Sequence, residues 1–434
     1  MSCIGLIALK RPFHKIMTGT LKPILGYLML AAGAGVIVSN LDPLGKMIEH
    51  GFHITGVVPN NEAIVAVAQK VLGVETMSIL VVGLLMNLCI ARFTKFKYVF
   101  LTGHHSLFMA CLMSAVLGTA GLSGMELILV GGFLMGAWSA ISPAIGQSYT
   151  SKVTDGDEIA IGHFGSLGYY LSAWVAKYVG KAEDSTEDIE IPEKWGFLRD
   201  STLSTALTMI VFYLIAAFAA GSEFVATLSG DMSPYLYAVM SAMNFAVGVT
   251  IVYSGVRMIL GDLIPAFQGI ATKIIPNAIP AVDCAVFFTY APTAVVLGFL
   301  SSFIGGIIGM LILGAVGGVL IIPGLVPHFF CGATAGIYGN ATGGRRGAAV
   351  GAFLNGLAIT FLPALALPVL GQLGFQNTTF GDADFAVMGL VLGNAYEWVG
   401  MAGIYGIVAI AALVLIVPNF IKTKGKVINY VEED

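Results

Sequence analysis

Long apolar runs separated by short polar stretches recur along the chain at roughly 23–41, 76–92, 97–119, 125–146, 202–221, 236–256, 285–322, 347–370 and 385–418. A helix needs about 17–25 mostly apolar residues to cross a bilayer. The runs at 285–322 and 385–418 are long enough for two helices each. With the opening segment, the pattern predicts an all-α, polytopic membrane protein of about eleven transmembrane helices. A membrane barrel would need alternating segments of about ten residues, so strands are not expected.

The polar interruptions echo one another. Gly324–Phe329 repeats Gly103–Phe108 at an offset of 221, and Leu41-Asp42-Pro43 returns as Leu263-Ile264-Pro265. Pro59-Asn60-Asn61-Glu62-Ala63 returns as Pro280-Ala281-Val282-Asp283-Cys284. Each half therefore carries a proline with a carboxylate three residues later, inside apolar sequence where ionisable groups are costly and usually functional. This predicts a duplicated transporter with two inverted repeats, re-entrant or broken helices, and a site between the halves.

Composition agrees with the membrane reading. The 434 residues are 57% hydrophobic and 11% charged, against about 25% charged in a soluble domain. The 55 glycines and 16 prolines suit tight helix packing and interrupted helices. Five scattered cysteines (Cys3, Cys89, Cys111, Cys284, Cys331) read as apolar core. A net charge of −4 offers no nucleic-acid footprint. The opening Met1–Leu9 is about half a span before Lys10-Arg11, with no cleavage pattern, and reads as a first helix lacking its outer half.

Lys and Arg cluster at 10–22, 92–97, Arg345-Arg346 and Lys422–Lys426. The positive-inside rule puts these in the cytoplasm, with the N-terminus outside and the C-terminus inside. An odd number of crossings follows. A polar insertion at 148–200 separates the halves. Its 166–180 portion, with Tyr169, Tyr170, Trp174 and Tyr178, reads as an interfacial helix. The acidic run Glu183, Asp184, Glu187, Asp188, Glu190, Glu193 reads as a solvated loop. The loop Asn377–Asp384 shows no evident chemistry.

Candidate site residues are the polar groups that interrupt the apolar runs. Asn61 and Glu62 offer several donors and acceptors at a broken-helix end; the alternative is a loop with a helix cap. Asp283 runs straight into Cys284-Ala-Val-Phe-Phe, and is either a ligand or the cap of the next helix. Thr102-Gly103-His104-His105-Ser106 combines close backbone approach with imidazoles and hydroxyls suited to a polyol. Adjacent helical residues point about 100° apart, so one histidine binds and the other fixes the fold. His163 is a similar, loop-placed candidate, and His328 reads as structural. The spacing of the histidines shows no i, i+4 pair and no nearby cysteine, so no metal site is expected. Gly343-Gly-Arg-Arg346 lacks the ending of a phosphate loop and reads as a cytoplasmic turn. No nucleophile–base pair and no acid-lined helix stands out, so neither covalent catalysis nor an ion pathway is predicted, and no cofactor is expected.

At Thr102-Gly-His104, Val153-Thr-Asp-Gly156 with Ile161-Gly-His163, and Val282-Asp283-Cys284-Ala285, the chain resembles the membrane (EIIC) component of the ascorbate-type phosphotransferase system. Gly255-Val-Arg257-Met258 and Ile321-Ile-Pro-Gly324 extend the likeness along nearly the whole chain. The resemblance implies a homodimer in a bacterial cytoplasmic membrane, surrounded by lipid, built from a scaffold (V-motif) and a sugar-carrying core that moves elevator-fashion. Here the scaffold would be 1–45 and 200–262, the core 46–150 and 263–420, and 421–434 a cytoplasmic tail. It also implies that the chain is a transport component and not an enzyme. Separate cytoplasmic EIIA and EIIB proteins would supply the phosphoryl group. Substrate-binding positions carried over by the resemblance are Asn61, Glu62, Thr102, Gly103, His104, His105, Phe108, His163, Phe164 and Asp283. Relatives that bind ascorbate have glutamine where this chain has Phe108 and Phe164, which exchanges hydrogen-bonding capacity for stacking area.

Three functions follow as expectations. The first is import of ascorbate or a related sugar acid or polyol, trapped by phosphorylation. The second is an ion-coupled secondary transporter of a small polar solute. The third is a membrane scaffold or sensor that works through the 148–200 insertion.

Overall fold

The structure is a computed structural model and describes residues 2–53, 56–59, 61–156, 158–189, 201–371 and 378–420. The side chain of Glu62 and the residues Glu190, Glu193, Asn377 and Lys422–Lys426 lie outside the described residues.

The chain is mostly helical, as the apolar runs require. Its first half runs α1 (Ser2–Ala8), α2 (Phe13–Phe52), β1 (Val58–Pro59), α3 (Asn61–Phe93), β2 (Tyr98–Phe100), α4 (Gly103–Thr119), α5 (Gly124–Thr154), β3 (Ala160–Ile161) and α6 (Ser166–Val179). The second half runs α7 (Ser201–Ala220), α8 (Ser222–Ser229), α9 (Pro234–Lys273), β4 (Ile279–Val282), a 3₁₀ turn (Cys284–Thr289), α10 (Pro292–Ala315), α11 (Leu325–Gly371), β5 (Thr378–Thr379), α12 (Ala383–Val399) and α13 (Met401–Ile416). Helices α2, α7 and α9 pack together, α3 packs on α4 and α5, and α11 packs on α6 and α10. Small residues allow the close crossings. A Cβ on Gly33 would lie 2.8 Å from the Gly248 carbonyl oxygen, and one on Gly298 would lie 2.5 Å from that of Gly332.

Among the described residues, seven helices are long and apolar enough to cross a membrane, or up to eight if the bent α7–α8 pair forms one span. This differs from the eleven expected, for identifiable reasons. The 97–119 run is divided between β2 and the 17-residue α4. The 385–418 run breaks at Gly400 (φ 65°), which leaves α12 with 17 residues. The stretch from Leu325 to Gly371, counted once among the seven, is two helical arms joined at Gly343-Gly344, where the backbone leaves helical geometry. That turn, read from the sequence, is tightly enclosed: a Cβ on Gly343 would lie 2.2 Å from the Ala176 carbonyl oxygen.

The expectation that strands are absent is corrected. Strands β2, β4 and β3 form a three-stranded parallel sheet in the order β2-β4-β3, and β1 pairs with β5 in a second parallel ladder. Val57 bridges Ile321 beside the second ladder. These strands are two to four residues long. They occur where helices stop, and in β2, β3 and β4, buried away from water, the backbone N–H and C=O groups must pair with one another.

Elements recur at the offset of the sequence repeat. Helices α2 and α9 are each 40 residues long, end 221 residues apart, and are followed by β1 and β4, which start 221 residues apart. The boundaries read at 45/46 and 262/263 fall inside these two continuous helices. The 166–180 segment is helical, and it buries Tyr169 and Tyr170 while exposing Trp174 and Tyr178. Part of the acidic run has a structural task. The Glu187 carboxylate accepts the Thr293 and Ala294 backbone N–H groups at the start of α10, so the run is more than a solvated loop.

Gly162 donates its N–H to Val282 O, and a Cβ there would lie 2.4 Å from the Ala281 carbonyl oxygen. Gly162→Ala should therefore cost about 1–3 kcal/mol of stability through overpacking against backbone. Gly103, with nothing within 4 Å of its virtual Cβ, should tolerate alanine without loss of stability. Thermal unfolding of the purified variants checks the pair.

Candidate functional site

The sheet brings three separated motifs to one place. Register pairs Phe100 with Ala281 and Ile161 with Val282, so Thr102-Gly103-His104, Gly162-His163 and Asp283 all follow the C-terminal ends of neighbouring parallel strands. His104 Nε2 lies 3.4 Å from Asp283 Oδ2, with side chains 44% and 17% exposed, so this pair is open to a ligand. That separation exceeds a strong N–H···O bond, leaving donor and acceptor capacity unspent. Of the two roles left open for Asp283 by the sequence, the structure shows the cap. Its Oδ1 accepts the Ala285 N–H and caps the 3₁₀ turn, while Oδ2 faces His104. Thr102 is buried and its hydroxyl has no partner in the described structure.

His105 and His163 lie behind this pair, both buried, with ring centroids 3.7 Å apart. The Phe164 N–H donates to His105 Nδ1 at 3.3 Å, and the Gly165 N–H donates to His163 Nδ1 at 3.1 Å. A backbone N–H can only donate, so each Nδ1 is bare and each ring is a neutral imidazole with its proton on Nε2. The Tyr169 hydroxyl also meets His163 Nδ1, at 2.8 Å.

The second ladder supplies the opposite wall, which the sequence reading missed. Asp382 Oδ1 lies 3.9 Å from His163 Nδ1. Because that nitrogen is an acceptor, this is a contact and not an ion pair. Asp382 instead accepts from Asn61 Nδ2 at 2.5 Å and from Cys331 Sγ at 2.8 Å. The Gly381 N–H completes the Asn61 amide at 2.9 Å. The reading of Asn377–Asp384 as a loop without chemistry is thus overturned. A signal was available: Phe380-Gly381-Asp382 stands 219 residues after Ile161-Gly162-His163, each following a short strand.

Phe108 and Phe164 are buried in an aromatic cluster. Phe164 stacks on Phe100 with centroids 4.6 Å apart and meets Phe385 edge-on, and Phe385 in turn stacks on His105. Both phenyl rings back the histidines. Of the ten residues singled out, the structure groups Thr102, Gly103, His104, His105, Phe108, His163, Phe164 and Asp283 around the sheet ends, and places Asn61 on Asp382. His328 is buried elsewhere against Ser302 and Phe303.

Spacing along the chain conceals a convergence of metal-type ligands. His105, His163 and Asp382 bring one donor atom each within 4.8 Å of one another, as do His163, Asp283 and Cys284. A ligating histidine normally donates its second ring N–H to an acceptor. Here both Nδ1 atoms are occupied by backbone donors, which places the protons on the Nε2 atoms, and the Cys331 thiol still donates to Asp382. The His105–His163–Asp382 set, as arranged, does not fit a metal ion.

The fold is that of a multi-span helical chain with a half-buried imidazole–carboxylate pair at the ends of short internal strands. Residues 1–384 match the family EIIC-GAT, described as "PTS system sugar-specific permease component", and the chain belongs to that family. It is 27% identical to the "Ascorbate-specific PTS system EIIC component" of Mycoplasma pneumoniae over 402 residues, covering 79% of this chain and 60% of that relative. The chain thus spans about 60% of the length of the curated relative that it matches.

Asn61→Ala removes a donor from the buried Asp382 carboxylate and leaves the Gly381 N–H unpaired, which should cost about 1–3 kcal/mol. Asn61→Asp sets a second carboxylate against the first and should cost more. Denaturant unfolding of the two variants reads the order, and the reverse order would contradict the assignment.

Proposed function

We propose that this chain is the permease of a phosphoenolpyruvate-dependent sugar phosphotransferase system that imports ascorbate or a related sugar acid or polyol. The observation that carries the reading is the meeting of His104, His163 and Asp283 at the ends of three parallel strands, in a chain of the EIIC-GAT family. Neutral imidazoles donate through Nε2–H, the carboxylate accepts, and apolar rings close the back of the site. This mixture suits a small hydroxyl-bearing ring held by a few placed polar groups. The ascorbate specificity named for the Mycoplasma relative supports the ascorbate-like assignment.

Phosphoryl transfer in this reading is performed by a separate cytoplasmic EIIB, charged by EIIA, and releases the substrate inside as its phosphate. The architecture is two inverted repeats, with a scaffold from 1–45 and 200–262 and a core from 46–150 and 263–420. The core carries the site across a bacterial cytoplasmic membrane within a homodimer. The N-terminus lies outside and the C-terminus in the cytoplasm. Support for the duplication comes from the matched 40-residue helices and their following strands, both at an offset of 221. Asp382 and Asp384, both buried near His163, favour a second reading, ion-coupled transport, because intramembrane carboxylates commonly carry ions or protons.

Uptake of labelled ascorbate by cells or vesicles separates the two. The first reading predicts dependence on phosphoenolpyruvate and the soluble components, insensitivity to an uncoupler, and a phosphorylated product. Uptake that collapses with the uncoupler and survives without phosphoenolpyruvate would replace it with the second. In purified protein, Asp283→Asn and His104→Ala should each weaken ascorbate binding by about tenfold or more, the cost of one lost charge-assisted hydrogen bond. Thermal unfolding should remain cooperative in both.

A further inference from the structure

Asp384 is a fully buried carboxylate that the site described above does not use. Its Oδ2 accepts from the Ser166 hydroxyl at 2.8 Å and from the Trp138 indole at 3.2 Å, and its Oδ1 accepts the Leu167 N–H at 2.9 Å. Its own backbone N–H donates to Phe164 O at 2.9 Å. Three of these bonds fall on residues 164–167. Gly165, the residue before α6, has no side chain with which to cap that helix. Asp384 supplies the cap from another part of the chain, at the positive ends of both α6 and α12, so the buried carboxyl group is held by dipoles and hydrogen bonds.

The segment so held is the one whose backbone amides set the state of both buried histidines. Phe164 N–H engages His105 Nδ1, and Gly165 N–H engages His163 Nδ1. We propose that Asp384 is a positioning residue for substrate recognition: by fixing residues 164–167 it keeps His105 and His163 as neutral Nε2–H donors facing the substrate. The proposal rests on the permease reading for its ligand, but the tautomer claim does not. If residues 164–167 shifted by a fraction of a hydrogen-bond length, His105 Nδ1 would lose its donor and His163 Nδ1 would keep only the Tyr169 hydroxyl, which can donate or accept. Either ring nitrogen could then carry the proton, and half the population would present an acceptor where a donor is needed.

The test is ¹⁵N spectroscopy of the full chain in lipid nanodiscs, labelled at histidine, with His105→Gln and His163→Gln used to assign the two signals. Parallel titrations with ascorbate accompany the spectra. The wild type should show both residues neutral with the proton on Nε2. Asp384→Asn should convert both signals to a tautomer mixture, leave the His104 signal in place, and weaken ascorbate binding by about tenfold, the order expected for one misplaced buried donor. Asp384→Glu, which retains the carboxyl group, should recover part of the tautomer purity.

Ser166→Ala and Trp138→Phe each remove one donor while keeping the carboxylate. They should move spectra and affinity the same way by about two- to fivefold, and they carry the test if Asp384→Asn fails to fold. Wild-type spectra with the proton on Nδ1, or variants with unaltered tautomers, would overturn the proposal. Expected spectra without any binding of ascorbate would instead count against the substrate reading.

Discussion

The rest of the structure depends on the need of buried backbone groups to find partners. Helices that stop short inside the protein leave N–H and C=O groups that water does not reach. This chain resolves the problem by pairing the stopped ends with each other, in a three-stranded parallel ladder and a smaller two-stranded one. Parallel pairing places the residues after each strand side by side. Segments separated by about sixty to two hundred residues in sequence therefore deliver His104, His163 and Asp283 to one spot. The ladders are thus both the solution to a solvation problem and the frame of the proposed site.

Contact between the residues that follow the two ladders defines the interior of the site. His163 and Asp382 approach to 3.9 Å, yet no proton is shared between them, because the imidazole nitrogen concerned is already an acceptor. Asp382 takes its donors from Asn61 and Cys331, and the histidines take theirs from the backbone. Buried charge is balanced locally on each side. The arrangement explains why carboxylates and imidazoles can crowd together without metal-type coordination or a cationic side chain among their described partners.

Much of this was legible in the sequence because polar residues interrupting apolar runs are rare and conspicuous. Thr102-Gly-His104, His163 and Asp283 were found on that ground, and the fold places them together. The strands were not legible. A segment of two to four residues has no usable periodicity, and its pairing is set by partners far away in the chain. Asp382 and Asp384 were passed over because they sit beside an ordinary-looking Asn-Thr-Thr loop; only comparison with Ile161-Gly162-His163 at the 219 offset would have raised them. For Phe108 and Phe164 the sequence conveyed the lost amide capacity, while their burial behind the histidines depends on Phe100 and Phe385. The described residues hold seven or eight helices of spanning length, fewer than the apolar runs suggested, because apolar length does not distinguish a long helix from a short one preceded by a strand.

The central claim is that the strand ends converge on one substrate site. A cryo-electron microscopy map of the protein in nanodiscs saturated with ascorbate tests it most directly. The account predicts ligand density within hydrogen-bonding distance of His104, His163 and Asp283, with the ladders intact. Density lodged away from all three residues, with that pocket left as it is here, would contradict it.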